Sequence, residues 1–530
     1  MANCPGCGGA VRFDIEEQKL KCTACGNLYS PYENDLFIKQ EGGSSGNSQT
    51  YETTAFICPQ CGGELCSSEH DLSGNCAFCG TPVVFESKQV RHRRPEFIIP
   101  FGITKEECKD IYAEKVKNNP YAPKELRDPE YIDGFRGIYV PYWVYDVWYD
   151  EKFSKTGTRK ETHRNYDDVY TDEINGQIDC EFSQIMHDAS SVLQDDLSEK
   201  VEPYEAVKNK ETERRSPDFK EFSEGYFPGF YAEPADVSEE TYMEYAKKIT
   251  SEKTSSYLEE HPKLKKYNLK FDSKKLEMKT DRAKLAMMPV WFLSYSKNNR
   301  VAYAAVNGQT GRIVSDMPVD FRVFAKRFGI VAAVFFVLLM FLTILPASVT
   351  LLSVVMAFIV TCYCFDDVYS LGEREKDGVP DRLRDTFNGG FTIVIFIFVM
   401  VAAVILKAVS IADRDFVTIA DGPAYKFFAI IFDIAHLVGL IMVLCSFFDV
   451  KKDRTPAYII CPTVNFLAAL AGTAVLLFAP ANDVWYYLTG TGILFIEMIS
   501  FFFIIKNHNR IATRPLPQFS VHKGGDDSAG

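Results

Sequence analysis

"NCPGCGG" (residues 3–9) and "ICPQCGG" (residues 57–63) are two versions of one phrase, and each is followed by a second Cys-x-x-Cys pair, "CTACG" (22–26) and "CAFCG" (76–80). In both sets fourteen residues separate the inner cysteines. The candidate metal ligands are therefore Cys4, Cys7, Cys22 and Cys25 in the first set, and Cys58, Cys61, Cys76 and Cys79 in the second. Four thiolates satisfy zinc in a closed tetrahedral site with no open position. A Cys-x-x-Cys turn brings two sulfurs to one ion, and the glycine after each turn (Gly8, Gly26, Gly62, Gly80) lets the backbone curl back toward them. A thioredoxin-like redox pair is the competing reading. It needs one Cys-x-x-Cys beside a βαβ pattern, not four in two matched sets.

These spacings predict two zinc ions in two small β zinc ribbons, over residues 1–40 and 56–90. Residues 41–55, with "GGSSGNSQ" (42–49), read as a flexible linker between them. Modules of this size bury little apolar surface, so the ion supplies their stability. Cys66 reads as a small buried thiol and His70 as a surface residue, since a four-sulfur set is complete without them.

Charge limits the partners. The 530-residue chain carries a formal net charge of −13, and residues 1–90 hold five Lys and Arg against eleven Asp and Glu. Phosphate binding needs a concentrated basic face, so nucleic acid is an unlikely partner. Only "RHRR" (91–94) is basic, and a run that short is usually a solvated face. Of fifteen cysteines, eight lie in the pairs and four in apolar runs (Cys362, Cys364, Cys445, Cys461), leaving Cys66, Cys108 and Cys180. No signal peptide opens the sequence, and paired thiols at fixed spacing fit metal in a reducing compartment.

Residues 91–321 read as a cytosolic α+β domain with an antiparallel sheet. Thr104 and Glu107 have capping-box spacing, and Cys108, Ile111, Tyr112 and Val116 share one helical face. "GIYVPYWVYDVWYDEKF" (137–153) is aromatic and β-branched, as a strand should be. "MMPVWFLSYSKNNRVAYAAVNGQTGRIV" (287–314) reads as strand, turn, strand, turn, strand. Pro141 and Trp143 are echoed by Pro289 and Trp291, which we read as two strands of one sheet. A helix capped by Ser238 should turn Tyr242, Tyr245 and Ile249 inward. No P-loop, H-E-x-x-H or G-x-S-x-G motif occurs, and His163 and His187, with Asp167 and Asp188 close by, are too scattered to assign catalysis. No catalytic residue is therefore assigned. The aromatic residues Tyr139, Tyr142, Trp143, Tyr145, Trp148 and Tyr149 read as a packed sheet.

Residues 322–506 read as an all-α bundle of six transmembrane helices, with apolar runs at 328–345, 347–365, 389–406, 427–448, 457–479 and 484–505. Each run is long enough for a hydrocarbon core about 30 Å thick. The segments before run one and after runs two, four and six hold fourteen Lys and Arg, and the alternate segments hold three. That asymmetry predicts a multi-pass protein of the cell membrane with both termini in the cytoplasm, residues 507–530 forming a cytosolic tail. Asp433 and His436 share a face at i, i+3, and Glu497 lies in the last run. Intramembrane ionisable groups are functional candidates.

The knuckles are similar to those of transcription factor IIB and of the replication-restart helicase, a nucleic-acid context that the acidic charge opposes. The wider pattern, "CPGCGG…CTACG", "CPQCGG…CAFCG", "IIPFGITKEEC", "GIYVPYWVYD" and "MPVWFLSY…AAVNGQTGRIVSDMPV", resembles bacterial membrane proteins with tandem zinc ribbons, the YdjG type, found beside phage-shock and SPFH (flotillin-like) proteins. The resemblance covers about the first 320 residues. It implies membrane anchoring and recruitment of cytosolic partners in envelope stress, and no catalytic residues. Two functions are expected from these observations: a non-enzymatic polytopic scaffold that docks cytosolic or membrane-associated proteins, or a transporter or channel with a zinc-ribbon regulatory head.

Overall fold

The computed structural model describes residues 3–33, 50–67, 73–163, 166–192, 195–201, 219–340, 346–376, 423–450 and 455–519. They group into two compact units. One is Met1–Lys115, Asp128–Ser315 and Pro515–Gly530, and the other is Val116–Arg127 and Asp316–Arg514.

The first unit is built on the strand Arg136–Thr162, which begins in the aromatic stretch and runs on through charged residues. It pairs antiparallel with Lys284–Lys297, placing Tyr139 opposite Pro289 and Pro141 opposite Met287. The two Pro/Trp motifs thus lie on neighbouring strands of one sheet, as the echo implied. Lys284–Lys297 turns through Asn298 and Asn299, both left-handed, into Arg300–Asn307. Asn tolerates positive φ better than most residues, which is why the two-residue turn closes here. The sheet is mixed. Phe97–Ile98 joins Lys284–Lys297 in parallel, and Tyr231–Ala232 joins the long strand in parallel.

One long element was missed. Asp167–Asp188 pairs antiparallel with the long strand, from Thr162 opposite Asp167 to Tyr142 opposite Asp188. Its first half is polar, and from Ile174 onward one face carries Ile174, Ile178, Cys180 and Phe182 toward the core, around Asn175-Gly176, a dipeptide favoured in hairpin turns. In the fold that dipeptide sits mid-strand. A Cβ on Gly176 would lie 2.6 Å from the ring of Phe153, so the glycine makes room for a cross-strand aromatic.

The helix Lys105–Lys117 starts with the expected capping box. The Glu107 carboxylate accepts from the Thr104 amide at 2.8 Å, and the Thr104 hydroxyl accepts from the Glu107 amide at 3.2 Å. Cys108, Tyr112 and Val116 are buried and Ile111 is half-buried. The helix Glu239–Glu260 buries Tyr242, Ala246, Thr250, Thr254 and Leu258, one per turn. It is tied to the sheet by polar tips of aromatic residues. Trp143 Nε1 donates to Val237 O at 2.9 Å, Tyr145 OH donates to Glu239 O at 2.6 Å, and Tyr149 OH meets Thr250 Oγ1 at 2.8 Å. The aromatic row is therefore core: Trp143, Tyr145 and Tyr149 bond at or just before the helix, and Tyr142 OH meets Ser198 Oγ at 2.8 Å.

The first cysteine set rides on its own three-stranded antiparallel sheet, Val11–Asp14, Lys19–Cys22 and Leu28–Tyr29. It is docked, not loose. Phe13 N donates to Pro228 O at 2.9 Å, and Ser223 Oγ donates to Pro31 O at 2.8 Å. Gly225 lies so close that an added Cβ would sit 1.9 Å from Pro31 O. The second set is not a separate module. Thr50–Ile57 pairs with both Glu64–Ser67 and Glu86–Arg93, and Glu64–Ser67 continues through Tyr231–Ala232 into the main sheet. Residues 50–55, expected in the linker, belong to a strand. The remainder of that linker, including 42–49, lies outside the described residues.

In the second unit the helices are Phe321–Met340, Pro346–Lys376, Pro423–Asp449, Ala457–Phe478 and Val484–Ile511. Among the described residues four segments are long and apolar enough to cross a membrane: Pro346–Asp366, Lys426–Phe448, Ala457–Phe478 and Val484–Arg510. The expected six spans are thus not supported. Run 389–406 lies outside the described residues, and run 328–345 begins in Phe321–Met340 but ends in residues outside them. The last run, weakened in sequence by Thr489 and Thr491, is a continuous helix. Each hydroxyl donates to the carbonyl four residues back, Trp485 O and Tyr487 O, both at 2.7 Å. Between helices, Thr350 Oγ1 donates to Tyr486 O at 3.0 Å and Asn465 Nδ2 donates to Ser500 Oγ at 3.0 Å. Such polar contacts join helices where lipid gives no hydrophobic drive to associate.

Glu233 is fully buried beneath the long strand, its amide donating to Tyr139 O at 2.9 Å. Burial pushes its carboxyl up from 4.5 to about 8, helped by the negative charges of Asp188 and Asp236. Because the folded value exceeds the unfolded one, stability is lost as pH rises from 4.5 through 8. Glu233→Gln should remove that slope. The variant's Tm in detergent, followed by tryptophan fluorescence, is expected to exceed the parent's at pH 9 by at least about 2–4 °C and to match it near pH 4.5.

Candidate metal centres

Each cysteine pair sits in the same tight turn. The amide of the residue after the second cysteine returns to the carbonyl of the first: Gly8 to Cys4 at 2.8 Å, Gly26 to Cys22 at 3.0 Å, Gly62 to Cys58 at 2.8 Å and Gly80 to Cys76 at 2.9 Å. All four glycines have φ between 70° and 76°, which a residue with a Cβ adopts only with strain.

The turns bring each expected set of four sulfurs together. In the first set Cys4 and Cys25 Sγ are 3.6 Å apart and Cys7 and Cys22 Sγ are 3.4 Å apart. In the second, Cys58 and Cys79 are 3.9 Å apart and Cys61 and Cys76 are 3.8 Å apart. A disulfide would need about 2.05 Å. Tetrahedral metal–sulfur bonds of about 2.3 Å place sulfurs about 3.8 Å apart. The donor set and the spacing fit a closed four-thiolate site, and both groups can hold a metal ion.

The two sites differ in their surroundings. In the first, Cys4 and Cys22 are buried while Cys7 and Cys25 are exposed. Tyr29, from the third strand of the small sheet, places its hydroxyl 3.1 Å from Cys4 Sγ. That hydrogen bond is the main reason the Cys4 thiol falls to about 6, toward the thiolate a metal requires. Sequence reasoning missed Tyr29, which lies outside the Cys-x-x-Cys signature. In the second set all four cysteines are buried. They belong to the core itself, packed in one cluster with Phe56, Phe78, Met288 and Phe292. Residues from the far end of the chain cover this site: Phe519 N donates to Cys61 O at 2.7 Å, and its ring meets Phe78 edge-on at 5.6 Å.

Cys66 is buried, as read, but it has ligating company. Its Sγ lies 3.5 Å from His92 Nε2, and Glu64 completes a third group with metal-binding potential. His70 lies outside the described residues. The basic tetrad is committed inside the unit. Arg93 pairs with Glu96 and Glu239 and stacks over Trp143, and Arg94 pairs with Glu224 and stacks over Phe222. His163 and His187 stand at opposite ends of the long hairpin. His163 pairs with Asp168, while Asp167 pairs with Lys160. His187 is buried and stacked on Tyr242 at 3.6 Å.

Two four-cysteine sites on a β-sheet unit, together with four apolar helices, fit a membrane protein with zinc ribbons. The chain is similar to the uncharacterized protein YdjG of Bacillus subtilis (strain 168), at 26% identity over 322 residues, 60% of this chain and 89% of that protein. No family model matches, and no solved structure matches.

The difference in exposure predicts two rates of metal loss. Of the two ions at the four-cysteine sets, a colorimetric chelator added to the purified protein should remove that of the first set quickly and that of the second slowly. Cys25→Ser should abolish the fast phase, and Cys79→Ser the slow phase along with much of the thermal stability of the sheet unit. A single phase of release for the parent would show that the two sites are equally shielded.

Proposed function

We propose that the chain is a non-enzymatic, multi-pass membrane scaffold that holds two zinc ions and presents its sheet unit to cytosolic or membrane-associated proteins. The observation that carries docking is the long hairpin. Beyond Asp150 most positions of Arg136–Thr162 alternate between exposed and half-exposed, and near the tip Tyr166 and Val169 are 63% and 64% exposed, with Tyr170 also open. An extended two-stranded arm with apolar groups at its end suits capture of a protein surface. Partners of the phage-shock or SPFH type, and a role in envelope stress, rest on the resemblance to YdjG-type proteins.

Thiolate sites favour the reducing side of a membrane, and the Lys/Arg asymmetry supports both termini lying on it. Residues 515–519 return to the unit that carries the ribbons, which supports an even number of crossings between Ser315 and Pro515. A phosphatase that requires export, fused after Gly530, is therefore expected to stay inactive in cells.

For docking, we expect the double variant Val169→Glu, Tyr170→Glu to lose most partners captured from native membranes, by roughly tenfold or more, while zinc content is unchanged. An undiminished set of partners sinks docking through the arm. The second reading, a transporter or channel, is favoured by polar groups in the helical unit. Asp433 and Glu497 are buried, and Glu497 Oε1 has no hydrogen-bond partner among the described residues. His436 Nε2 lies 2.6 Å from Thr361 Oγ1. Ion or proton flux in proteoliposomes that falls with Glu497→Gln would favour this reading over the scaffold.

A further inference from the structure

Glu64, Cys66 and His92 carry three different metal-ligating groups. Alternation along Glu64–Ser67 sends Glu64 and Cys66 to one face of the sheet. The pairing carries that face across the neighbouring strands. Cys66 stands opposite Ala55, Ala55 opposite Lys88, and His92 follows Lys88 by four residues, again on the same face. One ligand atom from each of the three lies within 4.8 Å of the other two. The Cys66 Sγ to His92 Nε2 distance is 3.5 Å.

That distance has a specific chemical meaning. A metal bound to sulfur at about 2.3 Å and to imidazole nitrogen at about 2.05 Å, at a tetrahedral angle, separates the two donors by about 3.5 Å. Cys66 is only 2% exposed, so its sulfur is walled in on the protein side, while Glu64 and His92 reach partway to solvent. The His92 ring is flanked by Tyr51, with centroids 6.2 Å apart, which limits how it can turn. Thiolate, imidazole and carboxylate together favour a borderline divalent ion such as zinc over magnesium or calcium, which prefer all-oxygen sites.

We propose that Glu64, Cys66 and His92 form a third zinc-class site, distinct from the two ribbons, with three protein ligands and a fourth position open to water or an added ligand. Four-thiolate sites are closed and structural, whereas a three-ligand site keeps a coordination position for exchange. The site lies in the strands that tie the second cysteine set to the main sheet, so its ion would be the more exchangeable of those in that region. The competing account is a plain thiol–imidazole hydrogen bond with no ion.

Metal content separates the two. Full-length protein in detergent, equilibrated with buffered zinc and desalted, should hold three ions per chain by elemental analysis. Cys66→Ser and His92→Ala should each hold two. Cobalt(II) loading gives an independent readout. The cobalt lost in His92→Ala should account for a minor share of the sulfur-to-metal charge-transfer absorption, because it carries one thiolate against four at each ribbon. Should those two variants fail to fold, Glu64→Gln, at a half-exposed carboxylate, decides. It should retain the two ribbon ions and bind the third at least tenfold more weakly. Saturation of the parent at two ions, or three tightly held ions in all folded variants, overturns the proposal.

Discussion

Four cysteine sulfurs within 4.8 Å of one another are best accommodated with a cation among them. Left bare they are either repelling thiolates or four protonated groups with few partners. In this protein that constraint reaches far beyond a surface knuckle, because Cys58, Cys61, Cys76 and Cys79 are part of the hydrophobic cluster that also holds Met288, Phe292 and Tyr303. An ion held by the second set would therefore stand where another protein would place a large apolar side chain. Strands from residues 50–93 meet the main sheet around it. Metal binding at that set would be coupled to folding of the sheet unit.

The first set obeys the same chemistry under looser conditions. Its small sheet packs on the segment around Gly225 and Pro228, but two of its sulfurs remain open to solvent. Two nearly identical sequence phrases thus end up in different physical roles. One is an integral part of a core, and the other is a docked appendage whose ion is reachable.

The cysteine sets were legible because their chemistry is local: four residues, a turn and a glycine are complete within a few positions. The capping box of Thr104 and Glu107 was readable for the same reason. What could not be read was anything decided across strands. Asp167–Asp188 alternates apolar and polar residues only from Ile174 to Phe182, with Asn175-Gly176 set inside that stretch, and Arg136–Thr162 supplies the partner along its whole length. The pairing of Cys66 with His92 depends on a register that no spacing in the sequence encodes. Boundaries failed similarly. Residues 50–55 look like linker by composition, yet all of them pair with Lys88–Arg93, and Thr54 and Ala55 pair with Ser67 and Cys66 as well. In the helical unit, four of the six apolar runs correspond to described helices long and apolar enough to cross a bilayer, and the buried polar residues among them were visible as exceptions.

The return of Phe519 to Cys61 imposes an order on biogenesis. A ribosome delivers residues 58–79 long before residues 515–519, with the entire helical unit made in between. The wall that Phe519 contributes over the second site must therefore wait until translation is nearly finished. Until then the Cys61 carbonyl and the Phe78 ring lack the partner that the last residues bring.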